Sequence, residues 1–290
     1  MAVVASGSPL TARRKLGGEL RRLRDRFGLT TEDVAAHLKC HATKVSRFEV
    51  GKRSVTRRDF EALMELYDVG DEQRAELTEH MIRGKQRVPP WWDAYSDVLT
   101  VNYSEYIAYE AEAVRGGEYQ SLLIPGLLQT RDYAHAVTEG GYASLGPDQV
   151  DSLVDVRMRR QQRLTEEEPL LFEGVMTEAA LRLQIGGPEV MREQLRTLAR
   201  TAELPNVSVR IIPFTAGAKA AVTGGFSLFG TDADADADVA FTESAESATT
   251  LKDSPIVLRL LNRQFRNLSA AALSQEDSHD MVRRIEKELD

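Results

Sequence analysis

The sequence contains one cysteine, Cys40, among 290 residues, which excludes a disulfide within the chain and fits a reducing compartment. It contains no apolar run of the roughly 18 to 20 residues that a helix needs to cross a membrane. Its first ten residues lack the basic start and the long apolar stretch of a signal peptide, so we expect no such peptide. Together these absences predict a cytoplasmic protein.

Common signatures of enzymes are also missing. The sequence has no phosphate-binding glycine-rich loop with a lysine, no paired-cysteine zinc spacing and no Gly-x-Ser-x-Gly motif. His37, Cys40 and His41 lie close along the chain, but no fourth metal ligand is evident. Three acids could act as acid–base groups in a pocket, although acids at this frequency usually lie at the surface or in ion pairs: Glu110, Glu112 and Glu178. We predict no enzymatic activity, no metal site and no cofactor.

The charge of the chain is unevenly distributed. Residues 12–58 contain fourteen Lys and Arg against five Asp and Glu, a net charge of +9. Because the whole chain carries −8, the remaining residues together carry −17. A basic module attached to an acidic body is typical of proteins that bind nucleic acid, although a solvated basic helix face would give the same charge.

The first 84 residues predict five short helices. Apolar residues recur at spacings of four, three and four from Leu16 to Phe27, which places them on one helix face, and Gly28 ends this helix. Thr30 and Asp33 form a capping pattern that opens the second helix. The other three helices are predicted to open at Ala42, Thr56 and Asp71.

Two domains are predicted on either side of a linker at residues 85–92. We expect residues 1–11 to be a disordered tail, 12–84 a helical domain and 93–290 a second domain. Consecutive prolines make the linker extended, and the two tryptophans that follow them are expected to dock it on the second domain. These four residues are Pro89, Pro90, Trp91 and Trp92.

The first domain is predicted to be mainly α, and the second to be of the α/β (α+β) class. Runs rich in β-forming residues at 169–175 and 207–213 flank two predicted helices, which indicates a strand–helix–strand crossover. Further strands are predicted at 224–230 and 239–242. The predicted helices are 103–115, 130–139, 147–164, 177–184, 188–203, 254–271 and 275–289.

Between the last two predicted strands, aspartate alternates with alanine from Asp232 to Asp238. The alternation could place four carboxylates on one edge for a divalent ion. However, the segment lacks the glycine and the distal glutamate of a calcium loop, so we predict a solvated acidic hairpin.

Two short helices joined by a tight turn, with polar residues on the outside of the second, are typical of a helix-turn-helix domain. Burial of Val45 and Phe48 would turn the opposite side of the second helix toward the major groove, where Lys and Arg bond guanine and Thr contacts the thymine methyl. Helix amino termini and the basic residues beyond this helix would contact phosphates. The candidate DNA-binding residues are Thr30, Thr31, Thr43, Lys44, Ser46, Arg47, Lys52, Arg53 and Arg57, with Arg58 nearby.

Three strings in the first domain carry a family resemblance: Leu16-Gly17-Gly18-Glu19-Leu20-Arg21-Arg22-Leu23-Arg24, Gly28-Leu29-Thr30 and Val45-Ser46-Arg47-Phe48-Glu49-Val50-Gly51. They are similar to the Xre (xenobiotic response element) family of helix-turn-helix regulators, in which the last string forms the recognition helix and its exit. The resemblance implies a sequence-specific DNA-binding regulator of transcription.

The chain departs from the Xre pattern at three positions. Family members usually have Gln where Thr31 stands, and often a Ser-Gln pair where His41 and Ala42 stand. Those glutamines tend to bridge phosphates and adenine edges, so their absence removes the basis for predicting a base preference. His41 is also expected to cap its helix less well than serine.

The second domain resembles the effector domain, of poorly assigned function, that many actinomycete members of that family carry in antitoxin-like regulators. The matching residues are Glu110 to Ala113, Pro125-Gly126-Leu127-Leu128-Gln129-Thr130, Tyr133-Ala134, Arg157, Arg160-Gln161, Thr177-Glu178-Ala179, Gly186-Gly187, Gln194-Leu195, Pro213-Phe214 and Gly217. The resemblance extends over nearly the whole chain from about residue 14.

Two roles for the second domain stay open. Family members resemble the DNA-binding half of gene pairs whose neighbour is a small protein, which implies a domain that dimerises and binds a small partner protein. Alternatively, the domain senses a small molecule in a pocket lined by Tyr119, Leu122, Gln129, Tyr133 and Arg157. Because one recognition helix reads only a few base pairs, we also expect a nucleoid-associated homodimer on a palindromic operator of double-stranded DNA.

Overall fold

The computed structural model divides the chain into two compact units, Met1–Asp93 and Ala94–Asp290. The residues that the structure describes are 9–51, 53–85, 89–141, 145–220, 224–231, 236–243 and 249–289. Within these ranges no helix is long and apolar enough to cross a membrane.

The N-terminal unit contains five helices, as the sequence predicts. They are α1 (Pro9–Arg26), α2 (Thr31–His37), α3 (Ala42–Glu49), α4 (Arg57–Leu66) and α5 (Asp71–Arg83). Helix α1 begins at Pro9, inside the segment that we expected to be a disordered tail; residues 1–8 lie outside the described residues.

One core cluster holds these five helices together. It includes Leu16, Leu20 and Leu23 of the apolar stripe that the sequence predicts on α1. Phe27, the last member of that stripe, is instead 42% exposed, because α1 ends at Arg26 and the chain turns there. Its ring lies beside that of Tyr67, with 6.0 Å between the ring centroids.

The C-terminal unit contains a six-stranded mixed sheet. Its strands are β1 (Arg115–Gln120), β2 (Leu171–Thr177), β3 (Val207–Ile212), β4 (Phe226–Gly230), β5 (Val239–Glu243) and β6 (Thr249–Lys252). The spatial order is β3-β2-β1-β4-β5-β6, with β1, β2 and β3 parallel and the remaining pairs antiparallel. The predicted crossover is confirmed, since β2 and β3 are parallel neighbours separated along the chain by two helices.

The described part of this unit also contains seven α-helices: α6 (Val101–Glu112), α7 (Arg131–Gly141), α8 (Pro147–Arg160), α9 (Glu178–Arg182), α10 (Pro188–Thr201), α11 (Pro255–Ala271) and α12 (Gln275–Glu288). Short 3-10 helices cover Trp91–Tyr95, Gly126–Leu128, Gln161–Leu164 and Phe214–Ala220. The predicted helix over 103–115 ends earlier, at Glu112, and the one over 147–164 becomes a 3-10 helix after Arg160.

The sequence analysis missed strands β1 and β6. Strand β1 lies inside the sheet although its sequence, Arg-Gly-Gly-Glu-Tyr-Gln, contains no β-branched residue. Glycine is required at position 117 because helix α11 packs closely on the strand there. A Cβ atom at Gly117 would lie 2.9 Å from the Phe265 ring.

The two faces of the sheet differ in polarity. On one face, Tyr119 belongs to an apolar cluster that includes Phe265 and Leu268 of α11. On the other face, Glu118 and Gln120 are buried, and Tyr106 of α6 contacts Phe229 and Phe241. Strand β1 therefore separates an apolar layer from a layer that holds buried polar groups.

Two further predictions concern segments that connect these elements. The rings of Trp91 and Trp92 meet edge to face at 5.5 Å, and the docking of the linker stays a prediction. Of the predicted acidic hairpin, residues 232–235 lie outside the described residues. Asp236 pairs with Arg266, and Asp238 accepts hydrogen bonds from Thr231.

Candidate nucleic-acid interface

Helix α2 opens with a reciprocal cap. Thr30 Oγ1 accepts a hydrogen bond from the Asp33 amide at 3.1 Å, while Asp33 Oδ2 accepts from the Thr30 amide at 2.9 Å. These bonds satisfy amide groups that the first turn of a helix leaves without partners. The Thr30 hydroxyl also donates to Asp33 Oδ2 at 2.6 Å, and this bond, with that from the Thr30 amide as the next cause, holds the pKa of Asp33 below its usual value. The capping pattern predicted from the sequence is confirmed.

A tight turn connects α2 to α3. Lys39 adopts a φ of 52°, in the left-handed region that non-glycine residues rarely occupy, and the Cys40 amide returns to the Ala35 carbonyl at 2.9 Å. His41 is the N-cap of α3 and makes no side-chain cap hydrogen bond, in agreement with the expectation that it caps weakly. The turn brings α2 and α3 together as a helix-turn-helix unit.

Helix α3 separates its side chains into two faces as predicted. Val45 and Phe48 are 2% and 1% exposed and belong to the core of the N-terminal unit. Thr43, Ser46 and Arg47 are exposed on the outer side. This outer side is free to enter a groove of duplex DNA without disturbing the core.

Lys44 does not follow the prediction that it faces outward. Its Nζ lies 2.8 Å from Asp59 Oδ2 on α4 and 5.4 Å from the centroid of the Phe48 ring. Burial opposes the ionisation of Asp59, but hydrogen bonds from Lys44 and Thr56 outweigh it and lower the pKa of the carboxyl. The long side chain of Lys44 extends to α4, where it pairs with the buried Asp59 carboxylate, so Lys44 joins α3 to α4.

An ion pair that the sequence analysis missed fixes the end of α3. Arg24 of α1 makes a bidentate contact with Glu49, at 2.6 Å from Nε to Oε1 and 3.1 Å from Nη2 to Oε2. The same guanidinium donates to the Leu29 carbonyl at 2.9 Å. Paired, half-buried groups of this kind hold their geometry more firmly than exposed ion pairs. Sequence reasoning counted Arg24 only as one more positive charge.

Contact between α1 and α3 is close. A Cβ atom at Gly17 would lie 2.4 Å from the Phe48 carbonyl oxygen and 2.5 Å from that of Glu49. Glycine is therefore required for the two helix backbones to approach this closely. The spacing positions the recognition helix against α1.

The other predicted DNA-binding residues surround α3. Arg53, Arg57 and Arg58 are exposed, while Thr31 is half-buried and donates to Glu32 Oε2 at 2.9 Å. Thr56 caps α4, and its hydroxyl accepts a hydrogen bond from the Asp59 amide. Lys52 lies outside the described residues. We call Thr43, Ser46, Arg47, Arg53 and Arg57 the recognition surface.

The five predicted pocket residues differ in their surroundings. Tyr119 is fully buried in the apolar layer of the sheet, whereas Leu122 is 55% exposed. The other three form a bonded cluster. Gln129 donates to the Ile124 carbonyl at 2.7 Å and accepts from Arg157 at 2.7 Å, and Tyr133 Oη accepts from the Ile124 amide at 3.2 Å. Burial raises the pKa of Tyr133 to about 12.

The Pro-Gly-Leu-Leu-Gln-Thr string is held by glutamines from two helices. Gln161 donates to the carbonyls of Gly126 and Gln129, and Gln194 donates to the Leu128 carbonyl at 2.8 Å. Gln194 also accepts from the Thr130 amide at 2.6 Å. The string is therefore a loop after β1 that these glutamines hold in place.

Comparison with known families agrees with this division of the chain. Residues 103–284 match a family described as a domain of unknown function (DUF5753), and residues 15–77 match a helix-turn-helix domain. The chain belongs to the DUF5753 family. Its N-terminal unit is a helix-turn-helix domain, and the protein is a DNA-binding regulator. No curated protein and no solved structure matches the chain.

A cavity of the DUF5753 domain lies where the sequence predicted none. It measures about 290 Å³ and lies between α10, α12 and the edge strand β3. Its lining is mostly apolar, with Leu198, Val209 and Val282 among its residues, and His279 contributes a half-buried imidazole.

The acids considered for acid–base chemistry have other partners in the DUF5753 domain. Glu110 is 1% exposed and receives two hydrogen bonds of 2.7 Å from Arg160. Glu178 accepts from Arg182 at 2.7 Å and from the Phe214 amide at 3.0 Å. Glu112 also has an interaction partner. Across the described ranges, no three His, Cys, Asp or Glu side chains are grouped to hold a metal ion.

Proposed function

We propose that this protein is a sequence-specific regulator of the Xre type that binds a palindromic operator as a homodimer. In this proposal the DUF5753 domain dimerises the protein and binds a small partner protein, as in an antitoxin-like switch. The observation that carries the proposal is the division of α3, whose Val45 and Phe48 are buried while Thr43, Ser46 and Arg47 stay exposed.

Each part of the recognition surface has a distinct role in this proposal. Arg47 donates to guanine O6 and N7, and Thr43 and Ser46 contact neighbouring base edges. Arg53 and Arg57 contact phosphates, as do the amides at the start of α4. Lys44 takes no part in reading bases, because its ammonium group is bound to Asp59.

Two considerations support the regulatory role of the larger domain. The resemblance to regulators encoded beside a small protein favours partner binding over catalysis. Acids that an enzyme could have used, Glu110 and Glu178, are bound to arginines. We therefore propose a regulatory protein that works in the cytoplasm and carries no catalytic activity.

A small-molecule sensor is the second candidate function. It is favoured by the cavity beside β3, which is apolar enough for a small organic group and carries one imidazole. None of the five pocket residues predicted from the sequence lines this cavity.

Footprinting of the full-length protein on DNA upstream of its own gene tests the proposal. We expect protection of two half-sites about one helical turn apart, at roughly 10 base pairs. Light scattering should give the mass of a dimer in solution. Protection of one short site by a monomer would reject the dimer, and no protection at low salt would reject sequence-specific binding.

A further inference from the structure

Helix α11 has a solvent-facing stripe that its own domain does not explain. Its inner side is packed on the sheet through Leu261, Phe265 and Leu268. Positions 256, 259, 260 and 263 follow the spacing of one helix face and lie on the outer side. We call Ile256, Arg259, Leu260 and Arg263 the α11 stripe.

The apolar members of the stripe are unusually exposed. Ile256 is 72% exposed and Leu260 is 51% exposed, and they stand one helical turn apart. Burying such side chains against a partner would stabilise a complex, because apolar surface would leave water. Two neighbouring apolar side chains alone do not define the partner.

The charged members of the stripe indicate the chemistry of the partner. Arg259 and Arg263 are exposed, and neither has a hydrogen-bond or ion-pair partner in the part of the chain that the structure describes. Other arginines of the same domain are paired with acids, for example Arg131 with Asp155, Arg163 with Glu166 and Arg196 with Glu286. Helix α11 itself contains no acid. Within the described residues, the stripe thus carries two positive charges without acidic partners.

We infer that the α11 stripe is the docking site for an acidic amphipathic helix of the partner protein. Such a helix would place apolar side chains on Ile256 and Leu260 and carboxylates against Arg259 and Arg263. This inference rests on the proposed binding of a small partner protein and specifies its chemistry.

Two other occupants fit the stripe less well. In a symmetric dimer the same patch of both copies meets, so the arginines of one α11 would face those of the other. A DNA backbone would satisfy the arginines but would leave Ile256 and Leu260 in water. An acidic amphipathic helix uses all four side chains.

Fluorescence anisotropy with the full-length protein and two synthetic peptides tests the inference. One peptide is a helix former with leucines along one face and glutamates beside them, and its counterpart carries lysines in place of the glutamates. We expect the glutamate peptide to bind at least tenfold more tightly at near-physiological salt. The double variant Arg259→Glu/Arg263→Glu should reverse this preference, and Ile256→Ser/Leu260→Ser should weaken binding of the glutamate peptide at least tenfold.

Arg283→Glu/Arg284→Glu on α12 is the matched control, because it makes the same charge change at two exposed arginines outside the stripe. It should keep the wild-type preference. Equal loss in the control, or no preference in the wild type, would overturn the inference. The inference would also be overturned if Arg259→Glu/Arg263→Glu converted the dimer to a monomer or bound the operator more weakly than the wild type.

The proposed function and this inference can fail separately. A small protein from the native host that native mass spectrometry finds on both the wild type and Arg259→Glu/Arg263→Glu would keep the proposed function and overturn the stripe as its site. Loss of DNA protection by the wild type would reject the proposed function, whatever the peptides show.

Discussion

Arg47 and Arg53 are both exposed near the end of α3, yet they lie at positions with different consequences for DNA binding. Arg47 is on the helix that we propose enters the groove, whereas Arg53 follows that helix, and the Arg53 amide returns to the Arg47 carbonyl at 3.1 Å. A side chain on the helix can reach base edges, and one beyond the helix meets the backbone.

We expect Arg47→Ala to weaken binding at the cognate site by roughly 1 to 3 kcal/mol and to relax specificity. Arg53→Ala should weaken binding to cognate and random DNA about equally. It should also reduce the slope of log affinity against log salt concentration by about one unit. Gel shifts at several salt concentrations measure both effects. Two variants that behave like the wild type would show that these roles are wrong.

The fold disfavours the ionised form of the Glu118 carboxyl. Glu118 is 5% exposed, and it accepts a hydrogen bond from Gln120, whose amide group also contacts Glu243. Burial, with repulsion from Glu243 as the next cause, raises its pKa to about 7. The folded protein therefore retains a proton there at pH values at which the unfolded chain has lost it.

This retained proton makes stability depend on pH. Below the unfolded pKa of 4.5 the carboxyl is neutral in both states, and its full contribution is present. As pH rises through about 7 the folded state must also ionise, and roughly 3 kcal/mol is lost, at about 1.4 kcal/mol per pKa unit. Urea denaturation between pH 5 and 8 should show this decline in the wild type and a flatter profile in Glu118→Gln. Parallel profiles would contradict the assignment.

At the scale of elements, the position of α3 depends on contacts with α1 and α4 that lie far from it in sequence. Gly17, the Arg24–Glu49 pair and the Lys44–Asp59 pair all act on this helix. The helix itself has only eight residues, too few to be stable in water alone. Its orientation toward DNA is therefore a property of the N-terminal unit.

Substitutions at the adjacent glycines of α1 allow the effect of packing on stability to be measured separately from that of helix propensity. Gly17→Ala would place a methyl group against the α3 backbone, and we expect a loss of about 1 to 3 kcal/mol with weaker DNA binding. The Cβ atom that Gly18→Ala adds would meet no atom within 4 Å, so this substitution should stabilise α1 by up to about 1 kcal/mol. Thermal denaturation and gel shifts compare the two; equal stability would show that α1 and α3 are not in close contact.

Removal of the Lys44 side chain should affect folding more than base reading. Lys44→Ala leaves the Asp59 carboxylate without its ammonium partner, and we expect a loss of about 1 to 2 kcal/mol. Because the folded pKa of Asp59 is lowered, this stabilisation is present above pH 3.8 and is lost as pH falls through the lower folded value. A double-mutant cycle with Asp59→Asn measures the coupling. Weaker DNA binding with unchanged stability would instead favour a direct contact with DNA.

At the scale of the whole molecule, one acidic domain and one basic domain share a chain. We expect the acidic body to reduce unspecific attraction to DNA. In the proposed homodimer, binding would then depend on the small recognition surface and on the pairing of two copies. Insertion of five base pairs between the half-sites turns them to opposite sides of the duplex. We expect this insertion to weaken binding about as much as loss of one half-site, and unchanged affinity in competition gel shifts would show that the copies bind independently.

The sequence by itself determined the helix-turn-helix, its caps, the inward Val45 and Phe48 and the β2–β3 crossover, because these depend on residues close together along the chain. Only the tertiary structure decided that β1 is a strand inside the sheet, since it pairs with β2 and β4 and α11 packs on Gly117, and all three elements come from distant parts of the sequence. It also turned Lys44 toward Asp59 and separated Tyr119 from Tyr133. The physical reason is common to these cases. Long side chains and glycines adapt to partners that fold against them, and those partners lie far away in the sequence.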